Sequence, residues 1–145
     1  MDGDPAGAGC CESEQACVFS KALLAHAATC ELSQRSSLGE QEVLSCRSPV
    51  AHINCATLAA LLHERARFAL RLPPPGRPLM HVQALRLQCG GLTALRHTLA
   101  CAGADVHAMV REAQETHGSL PELPWSALVP AIAAWQPRKR GISRD

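Results

Sequence analysis

Aromatic side chains are scarce in this chain: 145 residues contain no tyrosine, two phenylalanines and two tryptophans. Long apolar runs are missing as well, and none reaches the ~18 residues that a membrane span requires. Neither sign of charge dominates. Fourteen basic residues against thirteen acidic ones leave a net charge of +1, too little for bulk electrostatic capture of nucleic acid. The one basic run, Arg138-Lys139-Arg140-Gly141-Ile142-Ser143-Arg144, reads as a solvated tail. The first residues, Met1-Asp2-Gly3-Asp4-Pro5, are acidic and small, the reverse of the basic and then apolar pattern of a secretory leader. These features predict a cytoplasmic protein with no membrane association.

Several catalytic signatures are also missing. The sequence has no Gly-x-Ser-x-Gly, no His-Glu-x-x-His, no phosphate-binding loop and no dinucleotide fingerprint. It has no Cys-x-x-Cys pair either, which argues against a zinc ribbon, a bacterial ferredoxin and a thioredoxin-like centre. A non-catalytic role is the expectation.

Sulfur is what the chain has in plenty. There are eight cysteines: Cys10, Cys11, Cys17, Cys30, Cys46, Cys55, Cys89 and Cys101. With 47% hydrophobic residues the chain can bury a core without crosslinks. In a reducing compartment such a set points to metal binding or redox chemistry before a disulfide framework.

The pattern along the chain predicts an all-α fold, a single compact bundle of about five helices. Residues 1–12 and 137–145 are expected as disordered tails around a cysteine-rich domain at 13–136. A first helix is expected from Ser13 to about Leu32, carrying Phe19, Leu23, Leu24 and Ala27 at helical spacing. Ser33 to Ser37 is polar, Gly39 suits a break, and Glu40 to Ser45 is ambiguous. Ser48 and Pro49 open a second helix. Its expected apolar stripe is Val50, Ile53, Leu58, Leu61, Leu62, Phe68, Ala69 and Leu72, and Pro73-Pro74-Pro75-Gly76 stops it. A third element runs from Leu79 to Ala102, interrupted by Gly90-Gly91. Two more helices fit Asp105 to His117, closed by Gly118, and Leu123 to Trp135, kinked by Pro130. Trp125 and Trp135 should plug the bundle core.

Geometry then sorts the thiols. In a continuous first helix Cys17 and Cys30 lie thirteen residues, or ~20 Å, apart, too far for one site. Cys30, Cys46 and Cys55 can meet if the first two helices pack antiparallel. Cys89, beside two glycines that would let a bulky group approach the backbone, is the expected fourth ligand. The predicted centre is an iron–sulfur cluster on Cys30, Cys46, Cys55 and Cys89, serving electron transfer, cluster handling or redox sensing with a redox or metal-handling protein partner.

Two alternatives stand beside it. His26 with Cys30 and His52 with Cys55 could form an S2N2 zinc site in an adaptor domain, and Cys17 is a further candidate ligand. A thiol oxidoreductase using Cys17 or the Cys10-Cys11 pair is the other. Buried cysteine that only fills the core is the plain reading for Cys89 and Cys101. The segments Arg65-Ala66-Arg67-Phe68-Ala69-Leu70 and Leu87-Gln88-Cys89-Gly90-Gly91-Leu92 are similar to those of small cysteine-rich bacterial proteins of unassigned role. That resemblance extends over about residues 17–136 and implies no activity.

Overall fold

The computed structural model describes residues 16–137. The tail at 1–12, the basic run from Arg138, and Cys10 and Cys11 lie outside the described residues. Within them the chain is mostly helical but carries a small sheet. In order come α1 (Ser20–Leu24), β1 (Ser33–Leu38), β2 (Gln41–Cys46), α2 (Pro49–Leu70), α3 (His81–Leu85), a π-helical turn (Arg86–Gly90), α4 (Gly91–Leu99), α5 (Val106–His117), a 3-10 turn (Leu120–Glu122) and α6 (Trp125–Ala134).

The all-α expectation is corrected by β1 and β2. They pair antiparallel with Ser33 opposite Cys46 and Leu38 opposite Gln41, joined by a two-residue turn, Gly39-Glu40. Gly39 takes φ +69°, which glycine adopts without Cβ strain. The polar strand β1 offers no alternating apolar signal. What fixes it is its base, where Arg47 N–H donates to the Leu32 carbonyl at 2.9 Å and Ser33 N–H to that of Cys30 at 3.1 Å.

The first helix is also corrected. It is one short element of 5 residues, not a rod reaching Leu32. His26 adopts a left-handed φ of 62°. Its N–H donates to the Leu23 carbonyl at 3.0 Å, and that of Ala27 reaches back to Ala22 at 2.9 Å. These bonds are the Schellman closure of a helix, made here without glycine. The same closure recurs at Arg71 (φ 57°), which ends α2, and at Ala100 (φ 56°), which ends α4.

Helix α2, 22 residues long, starts as its sequence predicts: Ser48 Oγ accepts the Ala51 N–H at 3.2 Å and Pro49 occupies the first turn. Its buried face is Ala51, Leu58, Leu62, Ala66 and Leu70, largely an i, i+4 ridge. Val50, Ile53 and Phe68 were expected in that stripe; they stand 69%, 63% and 84% exposed. Asp105 caps α5 through the Ala108 N–H at 2.9 Å and Gly118 closes it, as expected.

The glycine pair has a packing cause. A Cβ on Gly91 would meet Leu62 Cδ1 at 2.8 Å, and one on Gly90 would meet Trp135 Cβ at 3.1 Å. The pair lets α2 and the end of α6 close on one continuous helical rod, whose hydrogen bonds widen to π spacing over Arg86–Gly90. Trp125 is buried beneath Arg65, whose guanidinium carbon lies 5.6 Å from the ring centre, and Trp135 packs against the core. Among the described residues no helix is long and apolar enough to cross a membrane.

Ala100 has only a methyl group to lose and sits where L-residues are strained by ~1–2 kcal/mol. Ala100→Gly should therefore raise unfolding stability by about 0.5–1 kcal/mol, after the greater freedom of unfolded glycine is subtracted. Urea titration of the variant checks this, and a lower midpoint would contradict the strained closure.

Candidate metal centre

Because α1 stops at Leu24, the chain folds back and brings Cys30 toward Cys17. Each of the four thiols near the hairpin comes from a different local device. Cys17 sits on an arm that pairs with β2: Ala16 bridges Ser45 antiparallel, and Cys17 N–H donates to the Leu44 carbonyl at 3.0 Å. Cys30 follows Thr29, whose N–H donates to Ala104 at 3.0 Å and whose carbonyl accepts from Val106 at 2.8 Å. Cys46 ends β2, and its thiol donates to the Ser48 carbonyl at 3.3 Å. Cys55 lies in the second turn of α2, one turn beyond His52.

These four thiols and His52 line one small cavity of ≈20 Å³, together with Ser33, Ser45 and the apolar Val18, Phe19, Leu23 and Val106. His52 ties two of the segments together, its Nε2 standing 3.0 Å from the Ala16 carbonyl oxygen, which accepts. All four cysteines are half-buried and free of disulfides.

Two expected ligands stand apart. Cys89 is 1% exposed on the π turn. It lines a different cleft with His26, Leu85 and Trp135. His26 ends α1 in its left-handed turn, so it does not share a helical face with Cys30. The arm bearing Cys17 replaces them. The premise that kept Cys17 and Cys30 apart, a continuous helix, does not hold.

The thiols lie close enough to feel one another. Burial pushes the Cys55 thiol up to about 12, helped by Cys30, Cys17, Cys46 and Asp105. Burial likewise raises Cys17, partly offset by the backbone N–H of Phe19, with Cys30 and Cys46 adding to the rise. Cys30 is raised by burial, with the N–H groups of Leu32 and His107 opposing and Asp105 adding. A nucleophilic cysteine needs the reverse, a thiolate favoured near neutral pH. The set is therefore poorly suited to thiol exchange near neutral pH.

Among the described residues no group of three or more His, Cys, Asp or Glu side chains is arranged to hold a metal ion as it stands. A mononuclear tetrahedral site with ~2.3 Å bonds brings its sulfurs to within ~4 Å of one another. A four-iron cluster, in which each thiolate binds its own iron, spaces them more widely.

No family model matches the chain, and no curated protein or solved structure matches it either.

Thiols of the unfolded chain ionise near pH 8.5, whereas in the fold Cys55 keeps its proton to about 12. Between those values the unfolded chain binds fewer protons. The stability of the reduced, metal-free protein is thus full below about pH 8.5 and falls as pH rises through the window. Chemical denaturation at about pH 8 and about pH 10 should show a lower midpoint at the higher pH, and a smaller drop for Cys55→Ser. With no tyrosine in the chain, thiolate absorbance can be followed free of tyrosinate. Equal midpoints for the wild type would contradict the buried-thiol account.

Proposed function

We propose that the protein holds an iron–sulfur cluster on Cys17, Cys30, Cys46 and Cys55 and acts in electron transfer, cluster handling or redox sensing. The observation that carries this reading is the convergence of four thiols, from four separate segments, on one apolar cavity. Cys89 lies among core leucines, and Cys17, Cys30 and Cys55 pack against the edge of the same core, but these three and Cys46 also share one cavity. Ionising any one of them is costly there, a cost that a bound metal centre would offset by taking the thiolate charge.

The chain's own residues supply what a cluster site needs. Four thiolates would act as ligands, and Val18, Phe19, Leu23 and Val106 line the cavity beside them. Backbone N–H groups of Phe19, at Cys17, and of Leu32 and His107, at Cys30, favour the thiolate forms of these two ligands. When bound, the cluster would supply one-electron chemistry. The zinc reading draws on the same thiols and His52, and is separated from the first by the metal and by inorganic sulfide.

Protein purified without oxygen should be brown and contain iron and acid-labile sulfide in comparable amounts. Cys17→Ser should lose both, and Cys89→Ser should keep both, because Cys89 faces another cleft. Zinc without sulfide would overturn the cluster reading. Loss on Cys89→Ser with retention on Cys17→Ser would overturn the ligand set.

A further inference from the structure

The outer side of α2 lacks the charge that a solvated helix face ordinarily carries. From Ser48 to His63 the chain has no Lys, Arg, Asp or Glu, and the nearest charges on either side are Arg47 and Glu64. Turned away from the core, Val50 is 69% and Ile53 63% exposed, and Ala56, Thr57, Ala60 and Glu64 are exposed with them. Val50, Ile53, Thr57, Ala60 and Glu64 follow one another at alternating steps of three and four residues. That is the seam spacing of two packed helices. A contiguous apolar face of this kind marks an interaction surface.

The seam is divided along its length in two ways. Its larger apolar side chains, Val50 and Ile53, lie in the first half, and its smaller ones, Ala56, Thr57 and Ala60, follow. The positive charge, Arg47, stands before the seam and the negative charge, Glu64, closes it. Arg47 is held in place by its Nη2, which donates to the Glu31 carbonyl at 2.6 Å, and its guanidinium has further donors to offer. A parallel pairing with a second copy would set large on large, Arg47 on Arg47 and Glu64 on Glu64. An antiparallel pairing satisfies both divisions at once. With its two-fold axis between Cys55 and Ala56, midway from Arg47 to Glu64, each Arg47 comes level with the partner's Glu64. Val50 and Ile53 then face the partner's small residues, which let the helix axes approach toward the ~8 Å end of the usual range.

We propose that this face is the interface of a homodimer, in which α2 packs antiparallel on α2 of a second copy. The pairing is closed and self-complementary, as a two-fold contact must be. It involves none of the thiols as links and stands apart from the cluster reading.

The test is analytical ultracentrifugation of the full chain over ~1–100 µM, with a thiol reductant present so that no disulfide joins the copies. Wild type should sediment as a concentration-dependent dimer. Ile53→Glu should raise the dissociation constant at least ~100-fold, since it places an unpaired carboxylate in the seam. Its circular dichroism should match wild type, because Ile53 is exposed in the single chain. Arg47→Glu and Glu64→Arg should each weaken the dimer by setting like charges together, and the double variant should recover most of the association. Ile53→Glu and Glu64→Arg carry the test if Arg47→Glu does not fold. Val82→Glu, at another exposed apolar site on α3, should leave the dimer intact. A monomeric wild type would overturn the proposal, and so would a dimer that survives Ile53→Glu or is dissolved by Val82→Glu. A folded double variant no better associated than the single ones would overturn the antiparallel pairing.

Discussion

The Cys17 N–H donates to the Leu44 carbonyl at 3.0 Å, and the arm that carries it pairs Ala16 with Ser45 along β2. That pairing holds the first thiol against the strand that ends in Cys46. It is possible only because α1 is short. Were the helix to continue through His26, Cys30 would be carried away from the hairpin and the chain could not return to β2 in time. The left-handed turn at His26 reverses the chain after Leu24. Thr29 then docks on the α5 entrance, and Cys30 arrives beside the cavity. The thiol site is thus a product of backbone hydrogen bonding at its rim, while the leucine-rich core beneath it is built by α2, α4, α5 and α6.

Electrostatics give the same site its character. Thiols placed among Val18, Phe19, Leu23 and Val106 are held protonated by burial and by one another. The arrangement opposes free thiolate chemistry, because ionising any one of these thiols costs desolvation. Asp105 adds to the rise at Cys30 and Cys55, and backbone N–H groups of Phe19, Leu32 and His107 oppose it at Cys17 and Cys30.

The sequence was most legible where local chemistry speaks strongly. Ser48 and Pro49 at the start of α2, Asp105 and Gly118 around α5, and the prolines after Leu72 all mark real boundaries. It was least legible where a rule was met by an unusual residue. The stop at His26 uses neither glycine nor asparagine, so the apolar spacing through Ala27 extends the helix on paper. The polar strand Ser33–Leu38 has no alternation, and its turn, Gly39-Glu40, was the one available hint of a hairpin. Those two features hid the approach of Cys17 to Cys30. Three of the four thiols could be grouped from spacing along the chain, whereas Cys17 required knowledge of the hairpin. The glycines beside Cys89 suggested room for a prosthetic group, but Leu62 and Trp135 already fill that room.

The shared site can be tested without any metal. Mild oxidation of the folded, metal-free protein, followed by mass-spectrometric mapping of its disulfides, reports which thiols meet. Among the cysteines of the described residues the account predicts links only between Cys17, Cys30, Cys46 and Cys55, with Cys89 remaining a free thiol. A Cys17 left free while the other three pair, or a link from Cys30 to Cys89, would contradict it.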